Sequence, residues 1–180
     1  MPKIEKEFTP DVLEGQECPI CREKSATLTE AEQDIPFFGK VFLFSITCAA
    51  CKYHKADVES AQKKDPVKFT FDVEGKNDFS VRVVKSAEAT VKIPHIITIE
   101  SGPSSNGYVT NIEGILMRVK TAVEQAKSGV EDKDDEDKAR KLLKKINRIL
   151  WGEESCKIII EDPSGNSSII SEKAKKGTLK

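Results

Sequence analysis

The chain has 180 residues, 38% hydrophobic and 33% charged, which excludes a disordered chain and allows either one full core or a small metal module plus a medium domain. Lysine and arginine total 29 against 30 acids, so the net charge is -1 and no global pull toward nucleic acid exists. The N-terminus, Met1-Pro2-Lys3-Ile4-Glu5-Lys6, has no apolar segment of the secretory type, and the longest apolar run, residues 41–50, is too short to span a bilayer.

Residues 1–14 carry few structural signals; Phe8, Val12 and Leu13 either pack on the neighbouring cysteine-bearing module or belong to a mobile segment. Residues 15–62 read as a zinc ribbon. Cys18-Pro19-Ile20-Cys21 opens it and Cys48-Ala49-Ala50-Cys51 closes it, two C-x-x-C pairs separated by 26 residues. Two residues between cysteines let one tight turn aim both sulfurs at one ion. Two such turns supply Cys18, Cys21, Cys48 and Cys51 as a tetrahedral shell for one structural zinc, with no open position for a catalytic water. Iron and a thioredoxin-like redox pair are the remaining readings, and redox is disfavoured because no βαβ pattern surrounds the pairs. Cysteines used this way, in a chain without a signal, point to a reducing cytoplasm. Replacing Cys48 by serine is expected to unfold the ribbon while the rest of the chain persists.

Short strands are expected at residues 25–30, 41–47 and 55–58, feeding into and out of the knuckles. Asp65-Pro66 marks a boundary. Beyond it, Val67-Lys68-Phe69-Thr70-Phe71-Asp72-Val73 alternates with the period of a half-buried strand, and residues 79–85 alternate again after a turn at 75–78. Further strands are expected at 89–93 and 95–100, broken at Pro94, followed by a loop. The period then changes. Ile112, Ile115, Leu116, Val119, Val123 and Ala126 share a helical face, with Thr110 and Glu113 as a capping box and Gly129 at the end. An acidic run at 131–137 leads into a second helix whose apolar face is Ala139, Leu142, Leu143, Ile146, Ile149 and Leu150, closed by Trp151-Gly152. Strand character returns at 156–161 and 167–170, so the helical hairpin, at about 111–151, reads as an insertion in one β domain spanning 63–172. The basic residues 173–180 read as a disordered tail.

Four ordered motifs resemble the ZPR-type zinc-finger family. They are the C-P-x-C knuckle with Ile35-Pro36-Phe37-Phe38 before the second pair, and Arg82-Val83-Val84-Lys85-Ser86 leading to Thr90-Val91-Lys92-Ile93-Pro94. The third is Gly107-Tyr108-Val109-Thr110-Asn111-Ile112-Glu113-Gly114-Ile115-Leu116, similar to the family's G-x-x-T-T-V-E-G-L-L, and the fourth is Asp162-Pro163-Ser164-Gly165-Asn166-Ser167, similar to D-P-S-G-N-S. The match spans roughly residues 15–172 and one module, similar to the single-module archaeal branch. Family members often have glycine after each knuckle's second cysteine, where this chain has Arg22 and Lys52, which puts knuckle geometry in question. The resemblance implies an α+β fold: an N-terminal zinc ribbon followed by a double-stranded β-helix-like barrel with an inserted α-helical hairpin. It also implies a protein partner, since eukaryotic relatives bind translation elongation factor one-alpha and assist its biogenesis.

Other candidate sites have competing readings. The 101–111 loop, with Tyr108, and the turn Asp162 to Asn166 are either turn chemistry or a recognition surface. Phe37 and Phe38 are either ribbon core or partner contacts. His54 reads as a residue beside a complete ligand set, His95 as strand-edge packing and Cys156 as a buried inert thiol. Two histidines without a nucleophile pattern form no acid-base constellation, so neither a catalytic site nor a small-molecule substrate is expected. The expected function is a non-enzymatic, chaperone-like module binding a translation elongation factor. The alternative is a nucleic-acid-binding ribbon, with cations such as Arg22, Lys24 and Lys52 near the knuckles but Glu23, Glu30 and Glu32 among them.

Overall fold

The computed structural model describes residues 10–35, 39–60, 64–129 and 132–179. Among the described residues, twelve strands, two α-helices and one 3-10 turn follow one another. The strands β1 (Asp11–Gln16), β2 (Ala26–Ile35), β3 (Gly39–Cys48) and β4 (His54–Ser60) form an antiparallel sheet in chain order. The strands of this sheet are longer than their sequence signals, because each of β2 and β3 continues the other's ladder over ten paired residues, from Ala26↔Cys48 to Ile35↔Gly39. Phe37 and Phe38, both candidate contacts, lie outside the described residues.

The second unit contains β5 (Val67–Val73), β6 (Arg82–Lys85), β7 (Thr90–Ile93), β8 (Ile97–Ile99) and β9 (Tyr108–Asn111). The helices α1 (Ile112–Ser128) and α2 (Lys133–Trp151) come next, then β10 (Cys156–Asp162), β11 (Ser168–Ile170) and β12 (Lys175–Thr178). A five-stranded sheet runs β12-β5-β10-β7-β8 and a three-stranded sheet runs β11-β6-β9. The expected barrel is therefore two separate sheets that do not close on each other. They share one core: Phe71, Val91 and Ile158 from the larger sheet meet Val83 and Ile169 from the smaller. Strict alternation explains β5, whose Val67, Phe69, Phe71 and Val73 are buried while the intervening residues are half-buried. Ile112, Ile115, Leu116, Val119 and Val123 of α1, with Ile146 and Ile149 of α2, close the same core.

Four segments differ from expectation. The 1–14 segment, where described, contributes the edge strand β1, bulged between Leu13 and Gln16 around Gly15 at φ 69°. The loop expected up to residue 111 ends earlier, because Tyr108–Asn111 pairs with β6. The tail expected to be disordered forms β12 on β5, with Lys175 opposite Thr70. Lys173 just before it donates to Asp78 at 3.1 Å, a carboxylate otherwise held by the Glu74 amide. Phe79 to Val81 does not start a strand, since a 3-10 turn at Lys76–Asp78 closes through Phe79 N–H to the Lys76 carbonyl.

The helix ends are settled by side chains. Asn111, rather than Thr110, caps α1: its side chain accepts from Gly114 N–H at 2.8 Å. Asp132 caps α2 by accepting from Asp134 N–H, with Asp134, Asp135 and Glu136 in the first turn, where the helix dipole favours anions. Gly152, at φ 79°, ends α2 in the left-handed conformation.

Candidate metal centre

Each knuckle is a short turn entered and left through backbone hydrogen bonds. Cys18 N–H donates to the Glu23 carbonyl and Arg22 N–H to the Cys18 carbonyl; Cys48 N–H donates to the Tyr53 carbonyl and Lys52 N–H to the Cys48 carbonyl. To close these loops, Arg22 and Lys52 both adopt φ 62°. This is the left-handed region that glycine enters freely and other residues enter at a cost. The two substitutions for glycine thus leave the knuckle geometry in place, with strain stored in the backbone.

The four sulfurs converge. Cys18 Sγ is 3.7 Å from Cys51 Sγ and Cys21 Sγ is 3.7 Å from Cys48 Sγ, and all four lie within 4.8 Å of one another. A tetrahedral zinc with Zn–S bonds of about 2.3 Å requires S···S separations of about 3.8 Å, so the quartet is sized for one ion. The Ile20 and Cys51 amides lie 3.5 Å from Cys18 Sγ and Cys48 Sγ, and the Ser25 hydroxyl lies 3.2 Å from Cys48 Sγ. The Ser25 hydrogen bond, together with the amides, draws the Cys48 thiol down to about 6. Cys21 is pushed up to about 12: a backbone hydrogen bond at Glu23 lowers it, but burial and the neighbouring sulfurs outweigh that. Four crowded thiols cannot all ionise without a cation among them, which is the electrostatic signature of a metal site. Cys18 and Cys48 are buried against Ala26, Ile46 and Tyr53, while Cys51 is exposed. Among the described residues, no other group of His, Cys, Asp or Glu side chains is assembled closely enough to hold a metal. His54 stands outside the set, its Nδ1 2.9 Å from the Thr47 hydroxyl. His95 occupies the turn between β7 and β8 at φ 61°. Cys156 is half-buried at the start of β10, and burial pushes its thiol up to about 12.

Of the candidate contact residues outside the ribbon, Asn166 lies in a seam between the two units. One face of the ribbon sheet, through Ile35, Val41 and Val58, packs on Val84, with Leu43, Val109 and Ile170 around them. Polar groups lock the rim. Ala56 N–H donates to Asn106 Oδ1 at 2.8 Å, Gly107 N–H to the Ala56 carbonyl at 2.9 Å, and Ser60 N–H to Asn166 Oδ1 at 3.1 Å. Asp57 Oδ1 accepts from Ala87 N–H at 2.8 Å. Gly107 leaves the room this needs, since a Cβ there would lie 2.7 Å from Val58 N.

Asp162 is fully buried, which corrects its expected role as a partner contact. Its carboxylate accepts from Ser86 Oγ at 3.0 Å and from Ser164 N–H and Oγ at 2.8 and 2.7 Å, holding the β10–β11 turn closed. Asn166 is half-buried and spends its side-chain oxygen on the ribbon. Tyr108 is half-buried between two cations, 4.2 Å from the Arg118 guanidinium and 5.5 Å from Lys85 Nζ. Burial raises the Tyr108 pKa against the opposing effect of Arg118. Burial lowers that of Lys85, against the pull of Asp162 and Asp57; its ammonium donates to the Ser86 carbonyl at 2.8 Å. Sequence reasoning missed Ser25, Asp57 and Asn106; the Asn106-Gly107 pair is a turn signal, but nothing local says that it faces the ribbon.

Comparison with known proteins matches the same two units. A ZPR1 zinc-finger domain profile covers residues 12–66 and a ZPR1 jelly-roll domain profile covers residues 77–179. The chain belongs to the ZPR1 family. The ZPR1-like protein MJ0530 of Methanocaldococcus jannaschii is 33% identical over 158 residues, covering 87% of this chain and 80% of that protein. The ZPR1-like protein PH1223 of Pyrococcus horikoshii is 36% identical over 169 residues, covering 91% and 75%. The zinc finger chaperone zpr1 of Schizosaccharomyces pombe is 35% identical over 139 residues, but this chain spans only 30% of its length. The two sheets with their helical hairpin are thus a ZPR1 jelly-roll, and the cysteine quartet is its family's zinc site. No helix among the described residues is long and apolar enough to cross a membrane.

Proposed function

We propose that this chain is a non-enzymatic protein-binding chaperone whose client is a translation elongation factor of the one-alpha type, acting in the cytoplasm. The observation that carries this reading is the closed metal shell within a ZPR1 module. Four cysteines sized for one zinc leave no coordination position for a substrate or a water, so the ion holds shape rather than performing chemistry. The name of the fission-yeast relative, a zinc finger chaperone, points the same way. The rigid ribbon and the jelly-roll locked to it by the Asn106 and Asn166 seam would present one preorganised surface to a client.

The test is calorimetric titration of the zinc-loaded chain with the purified elongation factor of the same organism, beside an RNA titration over a series of salt concentrations. The expected result is saturable factor binding that disappears when zinc is chelated. RNA binding with a steep salt dependence, and no factor binding, would overturn the proposal in favour of a nucleic-acid ribbon.

A further inference from the structure

The ribbon sheet has two faces, and the described residues cover only one. The jelly-roll packs on Ile35, Val41 and Val58. Strand alternation puts Leu13, Leu28, Phe42, Phe44 and Ile46 on the opposite face, where the registers Leu13↔Leu28, Leu28↔Ile46 and Glu30↔Phe44 line them up side by side. Leu13 is 60% exposed and Leu28 36%, and the Phe42 and Phe44 rings stand 6.3 Å apart. Between β1 and β4, Leu13, Leu28, Phe44 and Ile46 line an open groove of about 320 Å³, running from the zinc knuckles, where Ile46 packs beside the cysteines, toward Asp57.

The charged side chains of this face are mostly acidic. The same alternation places Asp11, Glu30, Glu32, Asp34, Asp57 and Glu59 on the groove face, against Lys40 and Lys55. Lys40 is engaged by Glu32, and Asp57 by the seam. Asp11, Glu30 and Glu59 are exposed. A chain of net charge -1 has thus gathered carboxylates around its exposed apolar strip. Such a rim repels phosphates, which disfavours nucleic acid and anionic lipid, and attracts cations across an apolar contact.

We propose that this groove is a docking surface for a basic amphipathic segment of a partner protein, one in which Lys or Arg side chains flank large apolar ones. The apolar side chains enter between Leu13, Leu28, Phe44 and Ile46, and the cations meet Asp11, Glu30 and Glu59. This rests on the protein-binding reading above and adds the surface and the chemistry of the partner. Zinc matters to it because Ile46, at one end of the groove, packs on the metal centre.

The test is panning of a random short-peptide display library on the full zinc-loaded chain, followed by titration of the enriched peptides into Leu28→Lys, Glu30→Lys and, as a control on another surface, Glu172→Lys. The expected result is enrichment of peptides combining Lys or Arg with Phe, Leu, Ile or Val. Their affinity should fall roughly tenfold or more in the first two variants, fall with salt, and stay unchanged in the control. Zinc stoichiometry and thermal midpoint report whether each variant is folded. Should Leu28→Lys fail to fold, Glu30→Lys alone decides, because its side chain is exposed. Enriched peptides without cations, or an affinity indifferent to Glu30→Lys, would overturn the proposal. So would a concentration-dependent dimer that Glu30→Lys breaks, which would give the groove to a second copy. Titrating the elongation factor into the same variants separates this proposal from the previous one. Factor binding unaffected by the groove variants, with no basic peptides enriched, removes the groove and leaves the client. Basic peptides bound in the groove without factor binding do the reverse.

Discussion

Arg22 and Lys52 sit at φ 62° one residue beyond the second cysteine of each knuckle, held there because Arg22 N–H and Lys52 N–H must reach back to the Cys18 and Cys48 carbonyls. Replacing either by glycine removes a left-handed penalty, partly offset by the entropy glycine adds to the unfolded chain. Lys52→Gly is expected to stabilise the zinc-loaded ribbon by up to about 1 kcal/mol, read from denaturant midpoints; a loss of stability would show that the turn is not strained. Gly165 is the opposite case. It sits at φ 72°, and a Cβ there would collide with the Asp65 carbonyl, which is backbone and cannot swing aside. Gly165→Ala is expected to cost about 1–3 kcal/mol in the same measurement.

Among the elements, β12 owes its place to more than its ladder with β5. Asp78 is almost entirely buried and accepts from the Glu74 amide at 2.9 Å and from Lys173 Nζ at 3.1 Å, pinning the approach to β12 against the 3-10 turn. The Glu74 amide first, and Lys173 second, hold its carboxyl below the ordinary value of 3.8. A depressed folded-state pKa contributes stability that is fully present above the unfolded value and is lost as pH falls through the folded one. Thermal midpoints of the native chain are therefore expected to drop below about pH 4 with a steeper slope than those of Asp78→Asn. Equal slopes in the two proteins would mean that this carboxylate contributes nothing to the acid transition.

For the whole molecule, the seam couples two units that differ in what holds them together. Among the described residues the ribbon has small buried clusters, one of them built on the metal centre, whereas the jelly-roll has a continuous core from Val67 to Ile169. The sequence leads one to expect that losing a ligand, as in Cys48→Ser, unfolds the ribbon and leaves the β domain. The seam adds a consequence, since Val84, Val109 and Ile170 lose their cover when Ile35, Val41 and Val58 leave. Calorimetry with and without chelator is expected to show the jelly-roll transition surviving zinc removal but at a lower temperature. An unshifted transition would mean that the two units are mechanically independent.

The metal site was legible in the sequence because its chemistry is local: C-x-x-C spacing dictates a turn, and two turns fill a tetrahedron. The same holds for β5 and both helices, where one period over a few residues says which side is buried. The destinations of the loops were decided only by tertiary structure. Asn166 could be read as a turn residue, yet its oxygen serves the Ser60 amide 106 residues away, and no local pattern encodes that pairing. Asp162 carries a charge that sequence reasoning assigns to the surface, and the fold buries it among serines that neutralise the cost with hydrogen bonds. β1, β9 and β12 are short or polar strands that exist because β2, β6 and β5 offer them an edge. The apolar strand at residues 41–47 was visible from the start, but alternation alone could not say which of its two faces the jelly-roll would cover and which it would leave open.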